Sequence, residues 1–345
     1  MLRKKYDSTK FNNMINQSQK LNPKLFDKKV EEIPIRKGFG DGLVIAGEKN
    51  PQVVGLCSDL TVSTTMNLFR DKFPERFVEM GVAEQNMASV ASGMAAMGKI
   101  PYISSYAMFS PGRNWEQIRT TICYNDRPVI IAGSHAGVSV GADGGTHQAI
   151  EDIALARVIP NMIVISPCDA IEARKATVAA AGLGKPTYIR LAREATPVIT
   201  TDDTPFEVGK AQLYYGEEKE KTDVGIVATG ALLYKALKVA ETLKAENISA
   251  KVLNVATIKP IDVEALVSLA KTTGTIVTVE EHQIIGGLGG AVAEVLSQNF
   301  PVPIEFIGIQ DKFGQSGRPE ELLEHYGMGE SHILKACKRV IERKS

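Results

Sequence analysis

Short runs apolar on both faces recur along this chain, each separated from the next by a stretch with helical periodicity. That alternation leaves few folds open. The runs are QVVGLCSD (52–59), IPYISSYAMF (100–109), PVIIAGSHA (128–136), MIVISPC (162–168) and TYIRLA (187–192). Amphipathic stretches at 84–98, 114–125, 148–158 and 170–182 lie between or after them. A strand with no polar face must be covered on both sides, and the intervening helices supply the cover, so the pattern predicts an open α/β fold with a mainly parallel sheet. A second series begins near residue 222, with strands expected at 223–230, 250–257, 274–281 and 304–309. Between the series lies a stretch rich in Thr, Asp, Pro and Gly that reads as a linker. The expected organisation is a polar, Lys-rich and partly disordered arm (1–32), a first α/β domain (33–200), a linker (201–221) and a second α/β domain (222–345).

Charge narrows the function. Lys+Arg and Asp+Glu both total 40, so the net charge is zero. A nucleic-acid or membrane-surface partner favours a basic excess, and neither is expected. No run of eighteen apolar residues occurs and the N-terminus has no apolar signal core, so the expected location is cytoplasmic. The four cysteines are scattered without a CxxC pair, which points to buried thiols rather than zinc or disulfides.

Ligands in open α/β sheets bind beyond the carboxyl ends of strands. Four segments there carry reactive residue types: Cys57–Ser63, Gly81–Asn86 with Glu84 opening a helix, Ser134–His147, and Arg190–Arg193. The third is the densest, with His135, Asp143 and His147 in a glycine-rich loop that has no apolar face to fill. No third strong ligand accompanies the histidines, so no metal site is expected. A guanidinium at the end of the last strand could hold a phosphate in bidentate fashion. Gly40-Asp41-Gly42 is set aside as a diphosphate motif, because it precedes a strand and no Asn-Asn or Asn-Cys-Asn closes it. Gly286–Gly290 is set aside as a dinucleotide fingerprint, because Val292 falls where the last glycine must stand; close packing explains it better.

The segments GVAEQNMASVASGMAAMG, YAMFSPGRNWEQIR and GVSVGADGGTHQAIEDIA resemble, in this order, the pyrimidine-binding domain of transketolases. GTIVTVEEHQIIGGLGGAVAE and SGRPEELLEHYG resemble the C-terminal domain of the same family. The resemblance covers residues 33–345 and implies the C-terminal half of a split transketolase. It implies a thiamine diphosphate site shared with an N-terminal partner chain that carries the diphosphate ligands and Mg²⁺ or Ca²⁺. It also implies self-association through both domains into a heterotetramer, and sugar phosphates as substrates.

Residue by residue, Glu84 matches the carboxylate that hydrogen-bonds the aminopyrimidine ring nitrogen and activates the cofactor. Tyr106 and Phe109 match the aromatic wall around the pyrimidine, and Asp59 an acid near the cofactor at the chain interface. A third aromatic usual in the wall is Gly112 here, with Trp115 as a possible replacement. Arg36, Ser63, His135 and Arg193 match positions that hold the sugar phosphate; Asp143 matches a group that reads a substrate hydroxyl; His147 matches one that contacts the donor's carbonyl and terminal hydroxyl. Glu84, His135 and His147 are thus the expected catalytic residues, and a two-carbon ketol transfer between sugar phosphates is the implied reaction. The alternatives are the β subunit of a 2-oxo-acid dehydrogenase E1 component and a non-catalytic assembly subunit.

Overall fold

The computed structural model describes residues 14–344. Fourteen strands follow one another as β1 (Glu32–Pro34), β2 (Val53–Cys57), β3 (Phe77–Glu79), β4 (Ile100–Tyr106), β5 (Ile130–Ser134), β6 (Ile163–Ile165) and β7 (Thr187–Arg190), then β8 (Ala195–Pro197), β9 (Gln212–Tyr215), β10 (Val224–Ala228), β11 (Ala250–Asn254), β12 (Thr257–Lys259), β13 (Ile276–Gln283) and β14 (Ile304–Ile309). The first sheet has the order β12-β6-β7-β5-β4-β2-β3 and is parallel except at its β12 edge. The second has the order β14-β13-β10-β11-β9, parallel except at β9. Residues of β2, β5, β7, β10 and β11 are buried throughout, as expected of strands covered on both faces. Two successive mainly parallel α/β units are therefore present.

The two units are interlocked. β12, which follows β11 of the second sheet, pairs with β6 at the edge of the first. Its Lys259 Nζ donates to the Arg157 and Ile159 carbonyls at 3.0 and 2.6 Å. Deeper in the interface, Glu172 of the first unit accepts from Asn254 Nδ2 of the second at 2.7 Å and from the Cys168 N–H at 2.7 Å. Burial, aided by the neighbouring Asp169, pushes the Glu172 carboxyl up to about 7.

Two segments differ from the sequence reading, and a third was not read. Residues 14–30 are not a loose arm: Leu21 and Leu25 bury in the core of the second unit, and Asn16 bonds the Leu213 and Tyr214 main chain. Two leucines and a pair of main-chain partners outweigh the polar composition; the arm's first thirteen residues lie outside those described. Within 201–221, Gln212–Tyr215 forms β9, an edge strand antiparallel to β11. The third segment is the helix Ile35–Lys49, which contains Gly40-Asp41-Gly42 in its interior. Its Gly38 and Gly42 lie against the helix Ala170–Ala180, where a Cβ on Gly38 would fall 1.8 Å from the Ala170 carbonyl oxygen, while Gly40 lies against Thr65. The absence of side chains at Gly38 and Gly42 is what allows this close helix packing. The Gly286–Gly290 turn likewise wraps Glu280, whose carboxylate accepts the Leu288 and Gly289 N–H groups at 2.7 and 2.8 Å.

Candidate active site

The strand order places the site. Across the first sheet, β3, β2, β4, β5 and β7 are successive neighbours. Their carboxyl ends and the loops leaving them carry Glu84, Asp59, Tyr106, His135 and Arg193 in that spatial order. Five residues spread between positions 59 and 193 of the sequence thus line one edge.

Glu84 begins the helix Glu84–Ala96 and is 2 % exposed. Its Oε1 is 3.4 Å from the donating Ser105 hydroxyl, and its main-chain carbonyl accepts from Asn114 Nδ2 at 3.1 Å. Its Oε2 is buried without any hydrogen-bond partner. An unpaired buried carboxylate oxygen is costly, so its persistence marks a place where another donor is meant to arrive.

An aromatic shelf stands at the ends of β4 and β5. Tyr106 stacks on the His135 ring at 3.8 Å between centroids and on Phe109 at 6.2 Å. His147 meets Phe109 edge-on at 5.5 Å and Tyr106 at 6.3 Å. These four rings make an apolar wall with two imidazoles in it, suited to stacking a flat heterocycle. Gly112 has no room for a side chain, since a Cβ would fall 1.9 Å from the Met108 carbonyl oxygen. Trp115 donates its indole N–H to the Leu155 carbonyl at 2.8 Å and packs on the core. Its ring is held there, while Tyr106 and Phe109 meet each other and the two histidines.

The cationic end lies beside the shelf. Arg36 donates to the Ser63 carbonyl at 2.6 Å, and Arg193 to the Val140 carbonyl at 2.5 Å, with Asp143 3.9 Å away. Burial, and then the positive charges of Arg36 and Arg193, push the His135 imidazole down to about 3, so it is neutral at physiological pH. Its Nδ1 is 2.8 Å from the Ser134 hydroxyl, and its φ of 56° aims the ring out of the strand.

Asp59 is exposed and enters the site through its backbone: with φ 55°, its N–H donates to Glu79 at 2.8 Å. Glu79 also accepts from the Thr61 hydroxyl at 2.7 Å and the Gly81 N–H at 3.0 Å, tying the loop after β2 to the turn before Glu84. Burial alone would raise the Glu79 carboxyl, but these donors hold it below its ordinary value. Arg190 is no phosphate ligand. It is buried in an ion pair with Asp152 at 2.9 Å and donates to the Glu281 carbonyl at 2.7 Å. Sequence reasoning missed Glu79, Ser105 and Asn114, which act on backbone or on another side chain and leave no motif. Among the described residues, no group of three or more His, Cys, Asp or Glu side chains is placed to hold a metal ion, and no helix is long and apolar enough to cross a membrane.

Comparison with known proteins agrees with this geometry. Residues 31–198 match the family of the transketolase pyrimidine-binding domain, and residues 214–333 that of the transketolase C-terminal domain. The chain is 44 % identical over 311 residues to a Methanocaldococcus jannaschii protein described as a transketolase C-terminal section, covering 89 % of this chain and 95 % of that one. It is 39 % identical over 320 residues to a 6-deoxy-6-sulfo-D-fructose transketolase subunit of a Clostridium species, covering 93 % and 98 %. Among solved structures, a split-gene transketolase in the form of an inactive β4 tetramer superposes with TM-score 0.84 at 45 % identity, covering 91 % of this chain and all of that one.

Proposed function

The chain belongs to the transketolase family, and from that premise we propose that it is one subunit of a two-chain transketolase, completed by an N-terminal partner. The family depends on thiamine diphosphate, and the residues present fit its pyrimidine half. The observation that carries the reading is the orphaned, buried Oε2 of Glu84 beside the shelf of Tyr106, Phe109, His135 and His147. Bound, the cofactor supplies a carbon nucleophile for a ketone and an electron sink when the adjacent carbon–carbon bond breaks.

The chain's own residues then have separable tasks. Glu84 would hold its free oxygen against the pyrimidine ring nitrogen with one proton shared between these two acceptors, and Tyr106 and Phe109 would stack the ring. Arg36, Ser63, His135 and Arg193 hold the terminal phosphate of the sugar, with the charge supplied by the two guanidiniums. Neutral His135 contributes a hydrogen bond instead: in the tautomer where Ser134 donates to Nδ1, its Nε2–H faces the ligand. Asp143 reads a substrate hydroxyl, His147 meets the donor's carbonyl and terminal hydroxyl, and Asp59 lies near the cofactor at the chain interface. The diphosphate and Mg²⁺ or Ca²⁺ are assigned to the partner, since Gly40-Asp41-Gly42 lies inside the helix Ile35–Lys49, with Asp41 paired to Lys37 and Gly42 packed on Arg174 and Thr177. Self-association of this chain within a cytoplasmic heterotetramer completes the reading.

The test is reconstitution. The chain alone, and mixed with a separately produced N-terminal partner, is given thiamine diphosphate, Mg²⁺, xylulose 5-phosphate and ribose 5-phosphate. Ketol transfer only in the mixture is the expected result. A well-formed but inactive complex, also inactive with a panel of other ketose phosphates and a sulfonated ketose, overturns it. Turnover by this chain alone overturns the two-chain assignment.

A further inference from the structure

The glycine-rich loop that carries Asp143 and His147 is seated on the second unit. Glu281 of β13 is 4 % exposed, and its carboxylate accepts the Ser139 N–H at 2.7 Å. The approach is so close that a Cβ on Gly137 would fall 2.2 Å from Glu281 Oε1. Gly137 has φ 89°, and only glycine meets both conditions without strain. The Glu281 main chain is itself anchored: its carbonyl accepts from Arg190, which is paired with Asp152, and Asp152 accepts the Tyr188 hydroxyl at 2.6 Å. From the other side, Gln148 Nε2 donates to the Val138, Gly141 and Gln315 carbonyls at 3.1, 3.2 and 3.0 Å. One residue beyond Ser139, the Val140 carbonyl receives Arg193. The N–H and C=O of consecutive residues are therefore fixed by Glu281 and by the candidate phosphate ligand.

We propose that Glu281 is a positioning residue for substrate binding: through the Ser139 N–H it sets the seat of the Val138–Asp143 turn, and so the placement of Asp143 and of the carbonyl that orients Arg193. This assigns the second unit a share in substrate recognition without contact to substrate. It rests on the reading that Asp143 and Arg193 bind a sugar phosphate.

The experiment compares wild type, Glu281→Ala and Glu281→Gln as full chains, with two readouts. The first is hydrogen exchange in the chain alone, over peptides covering 137–148 and a control helix at 233–245. Losing a buried charge-assisted hydrogen bond should raise exchange in the loop by at least about 10-fold in the Ala variant, with the control unchanged. The Gln variant, whose side-chain oxygen still reaches Ser139, should stay near wild type. The second readout is kinetics of the reconstituted pair. The sugar-phosphate KM should rise roughly 10-fold in the Ala variant, with thiamine diphosphate affinity unchanged and rescue by Gln. If Glu281→Ala does not fold, Gly137→Ala, which drives a methyl group into the carboxylate, should reproduce both changes with Glu281 in place. Unchanged loop exchange in the Ala variant, or in Gly137→Ala where that variant stands in for it, overturns the proposal, as does a Gln variant as exposed as Ala. A wild-type pair that transfers no ketol unit defeats the substrate reading instead, and the exchange result still decides whether Glu281 holds the loop.

Discussion

Glu84 should be a residue that weakens the isolated chain and enables the assembled one. One of its carboxylate oxygens is buried without a partner, and the other has only the Ser105 hydroxyl at 3.4 Å. An unsatisfied buried acceptor costs about 1–3 kcal/mol. The acid also stands in the first turn of the helix Glu84–Ala96, which returns about 0.3–1 kcal/mol through the helix dipole. Replacing it with the isosteric Gln gives up the dipole term and puts a neutral amide oxygen, less costly to bury unpaired than a carboxylate, in the orphaned position, while its amide can donate to the Ser105 oxygen. The net expectation is a gain of about 0.5–2 kcal/mol for Glu84→Gln in the chain alone, or about 1–4 °C in Tm for a chain of this length. In the reconstituted pair the same change removes the group that engages the pyrimidine. Ketol transfer should then fall by at least about 10²-fold, proton-transfer assistance being worth roughly 10²–10⁴-fold. The assays are thermal unfolding of the chain without partner or cofactor, and turnover of the pair at saturating thiamine diphosphate. A variant that melts several degrees below wild type would make Glu84 a structural residue. A pair that keeps activity within about threefold of wild type would remove it from the mechanism.

Two further outcomes test the substrate end. Arg193→Ala should raise the KM for sugar phosphates by roughly 10–100-fold, the range expected for a hydrogen bond to a charged group, while a neutral-tailed ketose is affected far less; equal effects on both would leave Arg193 its internal ties to Val140, Asp143 and Glu194 and no role in holding phosphate. His135, held neutral by burial and by the Arg36 and Arg193 charges, has a folded value of about 3 against 6.5 ordinarily. Its contribution to stability should be full above the unfolded value and be lost as pH falls toward the folded one, by up to about 1.4 kcal/mol per pH unit. Melts of wild type and His135→Asn from neutral to mildly acid pH should therefore diverge, and parallel curves would show that His135 is protonated without cost.

The sequence exposed those parts of the molecule that are decided locally. Runs such as 128–136 and 223–230 read as buried strands because no polar face exists for water, and both are strands in the structure. The helix Ile35–Lys49 was hidden because glycine, the residue that most disfavours an isolated helix, is what lets this one lie against Ala170–Ala180. β12 was hidden for a related reason: its three residues become a strand only by pairing with β6 across the two units. In both cases a tertiary partner reverses the local preference.

The site divides along the same line. Groups that reach outward from loops after strands were legible, since chemistry and position coincide at the carboxyl edge of a parallel sheet. Groups that work by holding backbone were not, because a main-chain amide has no sequence identity to pair with. Glu79 grips the Asp59 and Gly81 amides, and Glu281 grips Ser139 from 142 residues away. Each could as well have been a solvated surface acid on sequence evidence. What distinguishes them is burial or convergence of donors in three dimensions. A chain whose ligand-facing residues are all present could therefore still bind poorly if such a backbone-holding acid were lost. In this chain the first test of that statement is Glu281, whose carboxylate stands so near Gly137 that a Cβ there would fall 2.2 Å from its Oε1.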